Sequence, residues 1–308
     1  MKSLIILIKH LHNETRIGRL FLSPIKFIND SLQFNRYSDI YFLEKRFQQK
    51  LNYKLNLKTP KTFNEKLQWL KINHHTPLHT KCADKLAVRS IVQEKIGSEY
   101  LIPLLYHTTD ITELSIDKIP NIPCIIKTNH DSGNVFIIRD RDTMDLLSIQ
   151  KKLKTSMRYN YYHNSREWQY KHIKPTILIE KLILDSNNLI PKDYKIHCFH
   201  GQPLYIQVDS DRFNEHKRTL YDIHWNEQTF AYKYPILKNI EQPKNLNLML
   251  ELAKKLSHPF PFARIDFYDT GKQVYFGEIT FFPTSGFGKF IPSTVDNKIG
   301  ELLNLPLK

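Results

Sequence analysis

Apolar residues recur at helical spacing up to about Gly97 and in short dense runs after Tyr100, so the chain changes texture a third of the way along. Residues 1 to about 58 read as helical, and Thr59-Pro60 ends that segment. In TFNEKLQWLKIN, Thr62 and Glu65 have the spacing of a capping box, and Phe63, Leu67 and Leu70 share one face of the helix that follows. DKLAVRSIVQEKIG, Asp84 to Gly97, predicts a second helix opened by Asp84, striped with Val88, Ile91, Val92 and Ile96, and stopped by Gly97. The runs YLIPLLY, CIIK, NVFIIR, TILIEKLIL, KIHCF and PLYIQV predict strands, and a helix over about 244–257 precedes a final hairpin. Strands and helices alternate irregularly, which predicts an α+β fold and not a doubly wound parallel sheet.

That hairpin, ARIDFYDTGKQVYFGEITFFPTSG from Ala263 to Gly286, sets Arg264, Asp266 and Glu278 among aromatic and β-branched residues. Alternation places Arg264 with Asp266 on one face of the first strand and Glu278 with Thr280 on one face of the second. A two-residue loop at Thr270-Gly271 would send Asp266 and Glu278 to opposite faces. A three-residue loop, Thr270 to Lys272, pairs Arg264 with Glu278 and puts Asp266 on the diagonal, where both carboxylates can share a cation. The same spacing suits an Arg–Glu cross-strand pair on a solvated face, so the hairpin alone leaves both readings open.

Composition supports a globular chain: 308 residues, 41% hydrophobic and 12% aromatic. The run Leu4 to Ile8 is too short to cross a bilayer or to form a signal-peptide core, which predicts a cytoplasmic protein. Cys82, Cys124 and Cys198 are odd in number and widely spaced, as expected of reduced thiols and not of a metal site. Charge changes the picture more. The net +14 is concentrated early, since residues 1–62 carry 12 Lys/Arg against 4 Asp/Glu. Such a segment suits peripheral contact with an anionic membrane surface, a polyanionic substrate or plain solvation, while no zinc finger, RNP motif or basic-aromatic stripe points to nucleic acid.

Other stretches could carry chemistry. CIIKTNHDSGNVFIIR joins two strands by a polar loop, and Lys127, the loop amides from Asn129 to Asn134, Ser132 and Gly133 are what a cover over phosphates requires; an ordinary hairpin has the same pattern. ILIEKLILD puts Glu180 and Lys181 in an otherwise apolar run, either satisfied inside a binding cleft or turned to water on an edge strand. DYKIHCF adds Asp193 and Lys195, and DSDRFNEHKRTLYD adds Asp209, Asp211, Arg212 and Arg218. Asp209-Ser210-Asp211 also matches the Asp-x-Asp by which many nucleotide-sugar glycosyltransferases hold a metal. The histidines, His74, His75 and His79 included, show no metal-ligand spacing.

In order, Asp84-Lys85, Lys127 before its polar loop, Glu180-Lys181, Arg264-x-Asp266 and Glu278-x-Thr280 resemble the ATP-grasp superfamily. FNEKLQWLK, DKLAVR, IIKTNHDSGN, DYKIHCFHGQP, the hairpin and the closing IG are similar to its TupA-like branch, associated with teichuronopeptide and other surface or capsular polysaccharide biosynthesis. The resemblance runs from about Phe63 to the C-terminus. It implies two α+β lobes enclosing ATP, organised as a basic helical extension (1–62), a segment leading into the grasp (63–120), a lid subdomain (121–182) and a catalytic subdomain (183–308). It further implies that Lys85 and Lys127 touch the phosphates, that the loop with Ser132 and Gly133 covers them, and that Glu180, Lys181 and Leu182 receive adenine, with Asp185 near the ribose. Asp266, Glu278 and Thr280 would ligate Mg²⁺, and Arg264 would stabilise the transferred phosphoryl group. Thr280 stands where many superfamily members have Asn, which leaves the number of metals open.

The implied reaction is an ATP-dependent carboxylate–amine ligation through an acyl phosphate, on a uronic acid and an amino acid or small amine, with Lys195, Arg212 and Arg218 contacting substrate. Three other readings stay open. A phosphotransferase to a sugar hydroxyl would use the same ATP site, a glycosyltransferase would rest on Asp209 and Asp211, and a basic membrane scaffold would rest on residues 1–62 alone.

Overall fold

The computed structural model describes residues 39–131, 133–210 and 215–307. Most of the basic segment, together with Ser132, Asp211 and Arg212, lies outside the described residues. Among those described, no helix is long and apolar enough to cross a membrane.

The helical first part comprises α1 (Asp39–Leu51), α2 (Phe63–Asn73), α3 (Pro77–Ala83) and α4 (Val88–Lys95). The capping box of α2 forms as its sequence predicts: Thr62 Oγ1 accepts from the Glu65 amide at 3.1 Å, and Glu65 Oε2 accepts from the Thr62 amide at 3.0 Å. Its apolar face, Phe63, Leu67 and Leu70, is buried, but so are Asn64, Gln68 and Lys71 on the other side. The predicted helix from Asp84 is shorter than expected. Asp84 Oδ1 accepts from the amides of Leu86 (2.8 Å) and Ala87 (3.3 Å), forming a separate turn that carries Lys85 before α4 begins.

Two antiparallel sheets follow, giving the expected α+β class. Strands β1 (Leu104–Thr108), β2 (Cys124–Thr128), β3 (Val135–Ile138) and β4 (Ile177–Lys181) form a four-stranded sheet in the order β1-β4-β2-β3. Helix α5 (Leu146–Met157) closes its apolar side, where Cys124, Ile126, Leu153, Ile177 and Ile179 form a small core. The short α6 (Tyr162–Ser165) leads back to β4.

Strands β5 (Asp193–Phe199), β6 (Gln202–Ser210) and β7 (Lys217–Asp222), with β9 (Phe262–Asp269) and β10 (Val274–Thr280), make a five-stranded sheet in the order β10-β9-β5-β6-β7. A two-stranded ribbon, β8 (Ala231–Tyr232) with β11 (Phe290–Ile291), lies beside it. Helix α7 (Leu246–Ser257) packs Met249, Leu252 and Leu256 on one face of the large sheet with Ile196, Ile206 and Ile265. Such side chains contribute about 1.5–3 kcal/mol each when fully buried. Helix α8 (Thr294–Glu301) then crosses α2. The three cysteines are free and buried, Cys124 in the small core and Cys82 and Cys198 in the large one.

Candidate active site

A cleft of about 530 Å³ separates the polar face of the large sheet from the small sheet, a volume in the range of small-molecule sites. Lys127, Glu180, Lys181 and Leu182 line it from the small sheet, Lys195, Arg264, Asp266 and Glu278 from the large one, and Lys85 and Arg89 from the helical side.

The hairpin brings its charges together by a route the sequence did not suggest. Its loop has four residues, 270–273, since Val274 pairs with Asp269. An even loop would put Asp266 and Glu278 on opposite faces, but the register shifts by one between Phe276 and Glu278, so Gly277 is a β-bulge. Asp266 therefore faces Glu278, and Arg264 faces Thr280, in place of the expected Arg264–Glu278 pair.

Arg264 forks over the site. Its Nε and Nη2 donate to Asp266 Oδ1 and Oδ2, both at 2.7 Å, and Nη2 also reaches Glu278 Oε1 and Thr280 Oγ1 at 3.0 Å each. Thr280 Oγ1 donates to Glu278 Oε1 at 2.9 Å. Lys195, from β5, donates to Asp266 Oδ2 at 2.8 Å and to Asp193. The two carboxylates differ in setting. Burial pushes Asp266 up, against the pull of Arg264 and Lys195. Loss of water also pushes Glu278 up, but Arg264, Lys195 and Lys85 outweigh it and hold Glu278 at about 2.

Three oxygen-bearing side chains on one hairpin face suit Mg²⁺, which takes one or two carboxylates and completes its shell with phosphate oxygens and water. Among the described residues no group of three or more His, Cys, Asp or Glu side chains could hold a metal unaided. The donor set fits an ion brought in with a phosphate ligand.

On the small sheet, Lys127 Nζ lies 2.5 Å from Glu180 Oε2, and Arg89 Nη1 lies 3.4 Å from Glu180 Oε1. Glu180 is thus a buried acid between two cations, and the Lys127 ammonium stands in the cleft. The amides of Lys181 and Leu182 donate to Pro103 O and Pro123 O, each at 3.0 Å, so an adenine beside them would meet carbonyls and side chains. Lys85 is half-buried, and the loss of water pushes its ammonium down; it donates to the Asp131 carbonyl. Asp131 organises the polar loop, accepting from Thr128, Ser156 and Asn134. Gly133 lines the cleft with φ 108°, and open space surrounds the position of a Cβ there.

Several expectations change. Asp185 does not line the cleft; its Oδ1 accepts from the amides of Asn187 (2.8 Å) and Leu189 (2.9 Å), so it organises its own loop. Asp209, the described half of the Asp-x-Asp, is gripped by Arg218 Nε at 2.6 Å and Nη2 at 3.1 Å. Arg218 lines the far end of the cleft as a member of that ion pair. Sequence reasoning missed Arg89, one helical turn past Lys85, and Asp131 and Thr284, for which no local pattern signals a role.

A family model described as TupA-like ATPgrasp matches residues 65–304. Among solved structures, the chain is similar to D-alanine–D-alanine ligase from Bacillus anthracis, at 19% identity over 65% of this chain and 57% of that one, with a TM-score of 0.40. The same enzyme complexed with ATP matches at 16% identity over 72% and 63%, TM-score 0.41. The ATP-grasp ligase PsnB complexed with minimal precursor matches at 11% identity over 70% and 58%, TM-score 0.38. The chain thus spans less than two thirds of the length of each. No curated protein matches it. The family match takes in both sheets and every cleft side chain described above, from Lys85 to Glu278, and on that ground the chain belongs to the TupA-like ATP-grasp family.

Proposed function

We propose that the protein is an ATP-dependent carboxylate–amine ligase that activates a uronic acid, in surface-polysaccharide biosynthesis, and joins it to a small amine or amino acid. The observation that carries the proposal is the convergence of Lys85, Lys127 and Arg264 with Asp266 and Glu278 on one cleft between two antiparallel sheets, with Thr280 hydrogen-bonded behind Arg264 and Glu278. Lys127 from the small sheet and Lys85 from the helical side hold the phosphates. Asp266, Glu278 and Thr280 would hold Mg²⁺, whose positive charge would neutralise phosphate oxygens.

A carboxylate oxygen of the sugar acid attacks the γ-phosphorus, and the bond to ADP breaks. Arg264, fixed on Asp266, stays aimed at the charge that develops on the transferred group. The amine then attacks the acyl carbon, loses a proton as the C–N bond forms, and inorganic phosphate leaves. Buried Asp266 serves here by orienting Arg264 and Lys195, while Glu278, nearer to solvent, is held ionised for cation binding.

Hydroxylamine tests the acyl phosphate. Enzyme, Mg-ATP, D-glucuronate and hydroxylamine should give ADP, phosphate and hydroxamate in equal amounts. A stable phosphosugar without free phosphate would establish phosphotransfer to a hydroxyl instead. Transfer from a nucleotide sugar without ATP would sink both, and the engagement of Asp209 by Arg218 argues against that outcome.

A further inference from the structure

Four residues past Thr280, the chain makes a turn that L-residues avoid. Thr284 (φ 53°, ψ 25°) and Ser285 (φ 54°, ψ 30°) are both left-handed, and Gly286 continues at φ 64°. Left-handed backbone is costly for residues with a Cβ and is visited by isolated residues, not by consecutive ones. Strain of this kind persists only where the surroundings over-determine it, and it gathers at functional sites.

The surroundings here are the polar side of α2. Lys71, buried, donates from Nζ to Ser285 O and Ser285 Oγ, both at 2.9 Å, and to Ser165 O at 3.1 Å, and it lies over the rings of Phe282 and Phe287. Gln68, one turn earlier, donates to Gly286 O at 2.7 Å and Ser285 O at 3.1 Å. A Cβ at residue 286 would stand 2.4 Å from Gln68 Nε2, so glycine is required for that grip. The buried Glu167 hydrogen-bonds Ser285 and faces Lys71. Ser285 is fully occupied by this network. Thr284 lines the cleft with Arg264 and Glu278, its side chain hydrogen-bonded to the buried Tyr232, whose hydroxyl also donates to Pro283 O at 3.3 Å. A turn that only reversed the chain would be made at less cost with glycine at each left-handed position.

We propose that Lys71 and Gln68 are positioning residues of the reaction, holding the turn Thr284–Gly286 so that Thr284 meets the sugar-acid carboxylate beside Arg264. The assignment rests on the ligase reading for the identity of the ligand. The clamp explains why the side of α2 that should face water is polar and yet buried: its side chains shape the acceptor wall of the cleft.

Thr284→Gly separates this role from a structural one, because glycine relieves the strained φ while deleting the hydroxyl. It should leave Tm unchanged or raise it by up to about 4 °C. With Mg-ADP present, its affinity for D-glucuronate measured by calorimetry should fall by about ten-fold, the loss expected for one hydrogen bond to a charged group. In the hydroxamate assay the KM for D-glucuronate should rise while the KM for ATP stays put. Lys71→Met should reproduce the glucuronate defect, and Lys71→Arg should recover part of it. Unchanged glucuronate affinity in Thr284→Gly, a parallel rise in the KM for ATP, or failure of the wild type to bind D-glucuronate would overturn the assignment. Wild-type binding without hydroxamate would instead overturn the ligase reading and leave the turn's role standing.

Discussion

Asp266 and Glu278 face each other across the hairpin, yet their replacement should have different consequences. Asp266 is 2% exposed and holds two cations, so Asp266→Asn leaves Arg264 and Lys195 short of charge in the interior and should cost roughly 3 kcal/mol of stability as well as activity. Glu278 is half-buried and shares Arg264 with stronger partners. Glu278→Gln should keep the wild-type Tm and lower Mg²⁺-dependent ADP formation by at least about a hundred-fold, measured by coupled assay. Near-normal turnover would return the hairpin to a structural ion pair. The charges themselves were legible in the sequence because buried strands seldom carry them without a partner. Their register was not, since a bulge at Gly277 compensates an even loop, and loop length alone cannot reveal it. His197 gives a second test at this scale. Burial, with Arg264 adding to it, pushes it down to about 3 from an ordinary 6.5. Between those values the unfolded chain binds the extra proton, so stability should fall as pH drops from about 6.5 toward 3. His197→Gln should show a smaller loss than wild type between pH 7 and pH 5 by urea denaturation, and an unchanged slope would mean that His197 does not contribute.

Among the elements, α2 shows most clearly what patterning can and cannot give. Its cap and apolar stripe were readable at residue spacing, because both depend on neighbours within one turn. The burial of Asn64, Gln68 and Lys71 was not, because their partners lie far along the chain, at Ser165, Ser285, Gly286, Gly288 and Asp296. Helix α8 presses on the start of α2 at Gly300, where a Cβ would stand 2.2 Å from Lys61 O and 2.8 Å from the Phe63 amide nitrogen. Lys66 donates back to Gly300 O and Leu303 O, each at 2.9 Å, fastening the crossing. Gly300→Ala should therefore lower stability by about 1–3 kcal/mol through forced separation of the helices. The same variant should raise the KM for D-glucuronate more than that for ATP, since α2 carries the clamp on Thr284–Gly286. Wild-type thermal stability in Gly300→Ala would show that the crossing yields without strain.

For the whole molecule, the cleft is a meeting of two separately packed sheets, and its cations come from both. Nucleotide bound there favours the folded state by mass action, by about 2.7 kcal/mol at a hundred times its Kd. Mg-ATP should therefore raise Tm by several degrees, and Lys127→Ala, expected to weaken ATP binding by roughly ten- to a thousand-fold, should lose most of that shift at the same concentration. An equal shift in the variant would remove Lys127 from the phosphate site. The thiols supply a finer reading of the same event. Burial pushes Cys82 and Cys198 up to about 12 and raises Cys124, and all three are shielded, so alkylating reagents find no reactive thiolate while the protein is closed. Each cysteine is in effect a clock that starts only when its own layer opens. Cys124 sits in the smaller core, and the other two in the larger. Iodoacetamide labelling followed by peptide mass spectrometry should mark Cys124 first, and Mg-ATP should slow that mark without changing the order; labelling of all three in step would mean that the two sheets open as a single cooperative body.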